Sequence, residues 1–376
     1  MKIGIDATAL PPQPVGAGNY IIQLIRSLAI LESEFEFVVF AQPDGRQQIN
    51  TPESSRIHWV ETPSINPGLR LIWEQTLFPR LIRQSSIDLY HSLHYTRPYL
   101  LSGPSVVTFH DMTFFLYPHL HTRVKRIFFP MAIRFSARTA QALIADSEST
   151  RQDAIRILQI PPDKIVAVQL GVDPKFRVID DSLALERVRR EYKLPERFML
   201  YVGLVEPRKN VPILIRAYKN LVDQGIAIPL VVVGRFGWMY SEVFDQIEKL
   251  GLQERVQFTG YVPSDDLPNI YNLASLFVYP TRYEGFGFPA LEAMACGVPL
   301  ITSAVSSLPE LVGDAGILVL PDDVDELTQA IGSVLRNPDL QAELARKGPI
   351  QAAEFTWERT AEQTLQVYRR VLGMQV

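Results

Sequence analysis

Hydrophobic positions along the chain follow two different spacings. Continuous apolar runs such as residues 2–6 and 105–110 predict buried strands, whereas residues 21–31 carry the spacing of an amphipathic helix. The same alternation begins again at residues 198–202 and ends in a helical segment that starts near residue 355. Strands that alternate with helices favour a parallel sheet with helices on both faces. The pattern therefore predicts two doubly wound α/β domains in succession.

The stretch between the two domains differs from both of them. Charge density rises and periodicity fades after residue 175, as in many linkers between domains. We therefore assign an N-terminal domain to residues 1–175, a linker to residues 176–195 and a second domain to residues 196–355. A length of 376 residues is sufficient for this organisation.

The composition excludes several classes of protein. The formal net charge is −4, so the chain as a whole shows no sign of nucleic-acid binding. Cys296 is the single cysteine, which excludes an internal disulfide and a cysteine metal cage and suits a reducing compartment. The first apolar run is too short for a signal peptide, and no uncharged apolar stretch of about 18 residues occurs. We therefore expect a cytoplasmic protein.

The most informative segment is residues 279–299, which predicts a strand, a glycine loop, a helix and a further strand. Glu284 lies in the loop, and Glu292 lies in the first turn of the helix that begins at Pro289. A helix start attracts phosphate, and a carboxylate accepts hydrogen bonds from sugar hydroxyls. The segment therefore indicates a nucleotide-sugar site, whose further candidate residues are Gly285, Phe286, Gly287, Phe288, Ala290 and Leu291.

Two adjacent cations follow the first strand of the second domain. Arg208 and Lys209 lie in its first strand–helix loop, a place where doubly wound folds bind ligands. Arginine grips a diphosphate through two parallel hydrogen bonds, and lysine adds a point charge. We expect the pair to neutralise a diphosphate. The ends of the next two strands are candidate walls for the base, at Gly234, Tyr261 and Val262.

A glycine turn follows the first strand of the chain and offers a surface for the acceptor. Its candidate residues are Gly16, Gly18 and Asn19. The third glycine of a dinucleotide-binding pattern is missing, because Ile21 stands at its position, and this argues against NAD. The alternative interpretation is a tight turn without a ligand.

His110 and Asp111 lie at the carboxyl end of a predicted strand. Side chains at such positions face the crevice in which ligands of doubly wound folds bind. Both residues are therefore site candidates. The alternative for each of them is a helix cap or a hydrogen-bonded loop residue.

The interval between Asp111 and Asp146 contains no acidic residue. Its basic residues alternate with aromatic and aliphatic ones and are Arg123, Lys125, Arg126, Arg134 and Arg138. A basic amphipathic helix over residues 119–138 suits an anionic membrane surface. A core-packed helix with a solvated basic rim explains the same pattern, and both interpretations stay open.

Asp323 and Asp325 match a D-x-D metal pattern by letter. They precede a helical segment, so an N-terminal cap with an acidic first turn is the favoured interpretation. We expect no metal site in the protein.

Taken together, the motifs resemble glycosyltransferase family 4, a family of retaining enzymes with the GT-B fold. Residues 284–292 resemble its E-x7-E motif, and residues 203–210 resemble its arginine–lysine diphosphate loop. Further similar segments are residues 16–20, 295–302 and 355–357. Residues 73–75 and 91–94 resemble the branch that contains bacterial mannosyltransferases for O-antigen and exopolysaccharide.

The resemblance implies a fold and a set of roles. Two Rossmann-like domains would face each other across a cleft, with residues 356–376 packing back on the first domain. Glu284 and His110 would contact the donor sugar, and Glu292 would hold the ribose. Ala290 and Leu291 would donate backbone hydrogen bonds to the phosphates that Arg208 and Lys209 neutralise.

The resemblance also implies a reaction. A hexose of the mannose or glucose type would pass from a UDP- or GDP-linked donor to a glycan or lipid-linked acceptor. The anomeric configuration would be retained, with no metal and no cofactor. The protein would act in cell-surface polysaccharide synthesis, in the cytoplasm or at the inner membrane face. A nucleotide-sugar epimerase of the related two-domain type is the alternative.

Overall fold

A computed structural model describes residues 1–51, 54, 56–65, 67–226, 228–238 and 240–375. The chain forms two compact units. One comprises Met1–Gly171 together with Thr356–Val376, and the other comprises Val172–Phe355. The boundary between them therefore lies at Gly171, a few residues before the expected position.

The first unit is built on a parallel sheet with the strand order β3-β2-β1-β4-β5-β6-β7 in the described part of the chain. Its strands are β1 (Lys2–Asp6), β2 (Glu36–Ala41), β3 (Ile57–Glu61), β4 (Leu89–Ser92), β5 (Ser105–Phe109), β6 (Ala142–Ala145) and β7 (Ile165–Ala167). Every residue of the central strands β4, β5 and β6 is buried, which explains their continuous apolar runs. The order reverses between β1 and β4, so a ligand crevice is expected at the carboxyl ends of these two strands.

Helices connect the strands of the first unit, except that β4 passes to β5 through a loop. They are α1 (Ala17–Ile30), α2 (Pro43–Ile49), α3 (Pro67–Thr76), α4 (Phe78–Gln84), α5 (Thr113–Leu116), α6 (Arg123–Thr139) and α7 (Glu148–Leu158). Helix α1 buries Tyr20, Leu24 and Leu28, which are spaced four residues apart and so lie on one helix face.

The second unit repeats the architecture with the strand order β10-β9-β8-β11-β12-β13. Its helices and strands are α8 (Ser182–Glu191), β8 (Met199–Val202), α9 (Val211–Asp223), β9 (Leu230–Val233), α10 (Ser241–Lys249), β10 (Val256–Gly260), α11 (Leu267–Leu273), β11 (Leu276–Tyr279), α12 (Phe288–Ala295), β12 (Leu300–Ser303), α13 (Leu308–Val312), β13 (Ile317–Val319), α14 (Val324–Arg336) and α15 (Pro338–Ala352). Strands β8 and β11 are parallel neighbours although two strands separate them in sequence. The loops after β8 and β11 therefore meet at the reversal of strand order.

The expected linker at residues 176–195 is part of the second unit and contains helix α8. Val188 is completely buried, and the Tyr192 hydroxyl donates a hydrogen bond of 2.9 Å to Asp266. Gln257 also donates to the Tyr192 carbonyl at 2.8 Å. The segment is as highly charged as a linker because helix α8 faces solvent over most of its surface and buries Val188.

The last helix, α16 (Trp357–Val371), belongs to the first unit. It approaches Gly171 so closely that a Cβ atom there would lie 2.1 Å from the Trp357 backbone nitrogen. Thr360 donates a hydrogen bond of 2.8 Å to the Gln169 carbonyl, and the Tyr368 hydroxyl lies 2.6 Å from His91 Nδ1. The C-terminal segment is thus held by both backbone fit and buried polar contacts. None of the helices in the described ranges has the length and apolar character needed to span a bilayer.

Candidate active site

The centre of the candidate site is an ion-pair cluster in the second unit. Lys209 donates a hydrogen bond of 2.7 Å to Glu284 Oε1 and a second one to the Tyr279 hydroxyl. The Arg208 guanidinium lies 3.2 Å from Glu284 Oε2 and donates to the Tyr283 carbonyl at 2.7 Å. The structure therefore brings the two predicted cations into direct contact with the predicted carboxylate.

Both cations are already compensated by carboxylates before a donor binds. Glu206 lies 3.0 Å from the Arg208 guanidinium, on the side opposite to the contacts with the other loop. Burial by itself would raise the pKa of Glu284, but the charges of Lys209 and Arg208 outweigh it and lower that pKa to about 2. Glu284 is therefore ionised throughout the neutral range.

Neighbouring side chains hold the Glu284 loop in place. Thr281 donates a hydrogen bond of 2.8 Å to Glu284 Oε1, and the Glu284 backbone nitrogen donates to Ser306 Oγ at 2.8 Å. The Ser307 hydroxyl, which is completely buried, donates to the carbonyls of Glu284 and Phe286. Hydrogen bonds thereby hold both the Glu284 carboxylate and the backbone of the loop that carries it.

Gly287 joins this loop to helix α12. Its φ of 107° lies in the left-handed region, and a Cβ atom would come within 2.8 Å of Leu308. The flanking Phe286 ring packs against Phe288 and Phe355, so the loop also has an apolar anchor. Glycine is therefore required here for the backbone to turn into the helix.

The start of α12 differs from the expectation in its hydrogen bonding. The Ala290 and Leu291 amides both donate to the Gly287 carbonyl, at 3.0 and 3.3 Å. The prediction that these two amides are open phosphate donors is therefore corrected. Because these amides of the first turn of α12 are bonded to the carbonyl of the cap residue Gly287, a phosphate oxygen would have to compete with that carbonyl.

Glu292 lies on the same helix in a different environment. Its side chain is buried and accepts a hydrogen bond of 3.0 Å from the Tyr271 hydroxyl. Burial raises its pKa to about 7 and Asp173 acts in the same direction, while Tyr271 and Lys175 oppose the rise. Glu284 and Glu292 are thus two buried carboxyl groups with opposite pKa shifts, a pattern typical of functional sites.

The predicted walls for the base lie on the neighbouring strand ends. A Cβ atom at Gly234 would be 2.0 Å from the Gly203 carbonyl, which places Gly234 directly against the loop that leads to Arg208. The Tyr261 ring is half exposed, with the Arg235 guanidinium 4.4 Å from its centre. Val262 is buried behind it.

His110 in the first unit is held by protein acceptors at both ring nitrogens. Nδ1 lies 2.7 Å from Asp146 Oδ2, and Nε2 lies 2.8 Å from the Leu93 carbonyl. Burial would lower the pKa of His110, but the charge and hydrogen bond of Asp146 raise it. Both nitrogens therefore already have hydrogen-bond partners within the protein. A contact of the His110 ring with the donor sugar stays a prediction, and it would require one nitrogen to exchange its partner.

The remaining candidates of the first unit lie at the same end of its sheet. Asp111 accepts hydrogen bonds from the backbone and hydroxyl of Thr113, at 2.9 and 2.7 Å, which matches the alternative of a hydrogen-bonded loop residue. Gly16 precedes α1, and Gly18 and Asn19 lie in its first turn. Tyr20 follows them, and its ring lies 5.1 Å from the His110 ring. The glycine turn and His110 are thus close in space.

Several residues of the two sites were missed by the sequence prediction. Glu206 stands inside the quoted cationic loop, and Asp146 stands at a strand end, so position could have indicated both. Tyr271, Thr281 and Ser306 carry no local signal, because their role depends on contacts between distant loops. Asp323 was interpreted correctly as a cap, since its side chain accepts a hydrogen bond of 2.8 Å from the Glu326 backbone.

Helix α6, which covers most of the basic segment, has one buried face and one exposed face. Phe129 and Ile133 pack into the core of the first unit. Val124, Ile127 and Met131 lie on a different face and are 70%, 67% and 62% exposed. Exposed basic residues border this second face and are Arg123, Lys125 and Arg134, while Arg126 is exposed on another side of the helix. The helix therefore presents an apolar stripe with a basic border.

Two parallel-sheet units of this kind, with a cation pair held against a buried carboxylate where two strand-end loops meet, agree with the glycosyltransferase class that the motifs predict. Residues 14–176 match the family described as Glycosyltransferase Family 4, and residues 185–351 match Glycosyl transferases group 1. O-antigen chain mannosyltransferase B of Escherichia coli is 31% identical over 98% of this chain and 100% of its own length. The chain belongs to glycosyltransferase family 4, which confirms the resemblance of its motifs.

Further comparisons agree with this assignment. Serotype-specific mannosyltransferase WbdA of Escherichia coli is 34% identical over 62% of this chain, which corresponds to 29% of that longer protein. Sucrose-phosphate synthase from Thermosynechococcus elongatus has a TM-score of 0.78 at 22% identity, with 99% of each chain covered. HepE of Anabaena, in complex with UDP and glucose, has a TM-score of 0.76 at 20% identity, over 98% of this chain and 100% of its own. The structural likenesses confirm the predicted GT-B fold.

Proposed function

We propose that this glycosyltransferase moves a hexose of the mannose or glucose type from a nucleotide-diphospho-sugar to a glycan or lipid-linked glycan, with retention of configuration. The observation that carries the proposal is the cluster of Arg208, Lys209 and Glu284 at the strand-end loops of the second unit. A diphosphate leaving group needs cations, and a sugar needs a fixed hydrogen-bond acceptor. The cluster offers both within one set of contacts.

The two carboxyl groups suit different parts of the donor. Glu284 is ionised and fixed, so it accepts hydrogen bonds from sugar hydroxyls without reorganising. Glu292 is also buried, beside Tyr271, and is assigned to the ribose diol. Arg208 and Lys209 exchange part of their contact with Glu284 for the diphosphate when the donor binds, and so supply positive charge without a metal ion.

The reaction has a simple balance of bonds. The bond between the anomeric carbon and the diphosphate oxygen breaks, and the nucleoside diphosphate leaves with the electron pair. The acceptor oxygen forms a new bond to the same face of the anomeric carbon, which retains the configuration. The acceptor proton passes to an oxygen of the departing phosphate. Arg208 and Lys209 stabilise the charge that develops on that phosphate.

The mannose type of sugar and a role in cell-surface polysaccharide are supported by the relatives. Two of them are named mannosyltransferases, one of them of the O-antigen chain. The exposed stripe of α6 supports a location at the inner membrane face, since apolar side chains with a basic border suit an anionic lipid surface. A lipid-linked acceptor would be presented at that surface.

The proposal is tested with purified protein and a panel of GDP-mannose, UDP-glucose, UDP-galactose and UDP-N-acetylglucosamine. We expect one donor to raise the melting temperature and to release nucleoside diphosphate and free sugar in the absence of acceptor. An isomerised donor would identify an epimerase instead, and no response to any donor would refute the proposal.

A variant links this activity to the cluster. Arg208→Ala should lower turnover of the responding donor by roughly 100-fold or more, as expected for loss of a charge that stabilises the transition state. Arg282→Ala is the matched control, because Arg282 is an exposed arginine of the neighbouring loop, paired with Asp322 on the surface. Full activity in the Arg208 variant would contradict the assignment.

A further inference from the structure

Three histidines lie near the carboxyl ends of β4 and β5, where the strand order of the first unit reverses. They differ in how their ring nitrogens are used. His91 is completely buried, with Tyr368 at Nδ1 and Thr108 at Nε2. His110 has Asp146 and the Leu93 carbonyl at its two nitrogens. His91 and His110 are therefore fully occupied by the protein.

His94 is different from the other two. Its side chain is partly exposed, and its ring packs between aromatic neighbours, with Tyr95 at 4.8 Å and Phe129 at 6.3 Å between ring centres. Within the described part of the chain, the contacts of the His94 ring are with other rings, and its backbone carbonyl accepts a hydrogen bond of 2.6 Å from the Thr96 amide. A neutral imidazole has one donor and one acceptor nitrogen, so the ring keeps an acceptor nitrogen for a ligand.

The loop that carries His94 is rigidly placed. The His110 Nε2–H donates to the Leu93 carbonyl, one residue before His94, and the rings of the two histidines lie 5.7 Å apart. Tyr95, one residue after it, has a φ of 54° and a backbone hydrogen bond to the Thr108 carbonyl of β5. A bulky residue in the left-handed region stores strain, which is concentrated at functional sites.

We propose that His94 is the residue of the first unit that contacts the acceptor, with its open ring nitrogen accepting a hydrogen bond from an acceptor sugar hydroxyl. The His110–Asp146 pair then positions His94 by fixing the Leu93 carbonyl. The ligand class is a polyhydroxylated glycan or glycoside. This assignment rests on the proposed glycosyl transfer and names where its acceptor binds.

The electrostatic surroundings of His94 favour the neutral imidazole, which is the form that can accept a hydrogen bond. Burial lowers the pKa of His94, and the positive charges of His110, Arg70 and Lys125 lower it further. The ring is therefore neutral at physiological pH and keeps its acceptor lone pair. In this role the neutral ring orients the hydroxyl, and the proton passes to the departing phosphate. Lys125 belongs to α6, so the contact lies beside the helix with the exposed apolar stripe.

The test compares wild type with His94→Ala and His94→Gln, using octyl α-D-mannopyranoside as acceptor and the donor that responds in the panel. We expect His94→Ala to lower kcat/KM for the acceptor at least tenfold, while the donor-induced shift in melting temperature stays at the wild-type value. His94→Gln should recover part of the loss, because its amide oxygen also accepts a hydrogen bond. His58→Ala is the control, since His58 is an exposed histidine of the same unit.

The outcomes separate this inference from the proposed function. Wild-type transfer by His94→Ala, or equal loss of acceptor use and donor binding, would overturn the role of His94. Absence of donor binding in the wild type would instead refute the proposed function. Binding is also followed directly by the ring NMR signals of His94, assigned with the His94→Gln variant. Addition of octyl α-D-mannopyranoside should shift those signals, and unchanged signals would overturn the inference.

Discussion

Lys209 Nζ lies 2.7 Å from Glu284 Oε1, although 75 positions separate the two residues in sequence. The contact forms because β8 and β11 are neighbours in the sheet, so the loops that follow them meet at one edge. Both side chains are buried, and each therefore depends on the other to keep its charge. The candidate donor site is thus held together by the same charged groups that we propose to act on the donor.

The ion pair predicts a strong coupling between its members. Lys209→Met should lower the free energy of unfolding by roughly 3 kcal/mol, because it leaves a buried carboxylate with a single cation. Glu284→Gln should cost a similar amount. The double variant should lose clearly less than the sum of the two single losses, as measured by urea unfolding in a double-mutant cycle.

The matched control for this cycle is the surface pair of Lys219 and Asp223. Lys219→Met should change stability by less than about 1 kcal/mol, since exposed pairs are screened by solvent. Additive losses at Lys209 and Glu284 would contradict a coupled buried pair.

Glu292 predicts an unusual dependence of stability on pH. Its pKa is raised from the ordinary value of 4.5 to about 7, so the folded protein binds more protons than the unfolded chain between these pH values. Its contribution to stability therefore falls as pH rises through this window. Glu292→Gln removes the carboxylate and should be more stable than wild type at pH 8, by up to about 3 kcal/mol at roughly 1.4 kcal/mol per pH unit.

The same variant should bind the nucleotide more weakly, because the amide is a poorer acceptor for the ribose diol. Thermal unfolding at pH 5 and pH 8, with and without UDP or GDP, measures both effects. Glu248→Gln, on the exposed face of α10, should change neither quantity. Equal stabilities of wild type and Glu292→Gln at both pH values would show that Glu292 titrates normally.

Helix α6 predicts binding to anionic membranes. Replacing Arg123, Lys125 and Arg126 by glutamine should weaken binding to vesicles of phosphatidylcholine with phosphatidylglycerol by tenfold or more, since each basic side chain contributes about 1 kcal/mol near such a surface. Ile127→Asn with Met131→Gln should weaken it as well, because it removes exposed apolar area. Cosedimentation with vesicles measures both changes.

The control for the vesicle experiment changes charge elsewhere in the same unit. Lys2→Gln with Arg156→Gln should leave binding nearly unchanged, since both side chains are exposed and lie outside α6. If the α6 variants bind as the wild type does, the basic border serves only to solvate a packed helix.

Local patterns in the sequence were sufficient for the fold class. Buried parallel strands appear as continuous apolar runs, and most of them are followed by an amphipathic helix, so the succession of two doubly wound units could be predicted. The assignment of a linker to residues 176–195 relied on the same kind of pattern and was wrong. Helix α8 buries Val188 within an otherwise solvated surface, and a pattern with so few buried positions resembles a loop.

Local motifs also indicated most of the donor site. Glu284, Arg208 and Lys209 stand beside the glycines and prolines that mark strand ends and helix starts, and their chemistry suits a diphosphate and a sugar. The sequence did not show that the three side chains neutralise one another. That contact depends on the neighbour relation of β8 and β11, which is decided by the packing of the whole sheet.

The sequence by itself determined the architecture, the family and the residue types of the site, because hydrophobic spacing and short motifs are sufficient to predict them. Tertiary structure alone decided which of those residues are open to a ligand. His110 and His94 both follow strand ends, but the ring of His110 is hydrogen-bonded to Asp146 and the Leu93 carbonyl, whereas the ring of His94 lies partly exposed between aromatic rings. Whether a side chain can bind a ligand depends on hydrogen-bond partners from distant parts of the chain. The spacing of residues along the sequence does not show those partners.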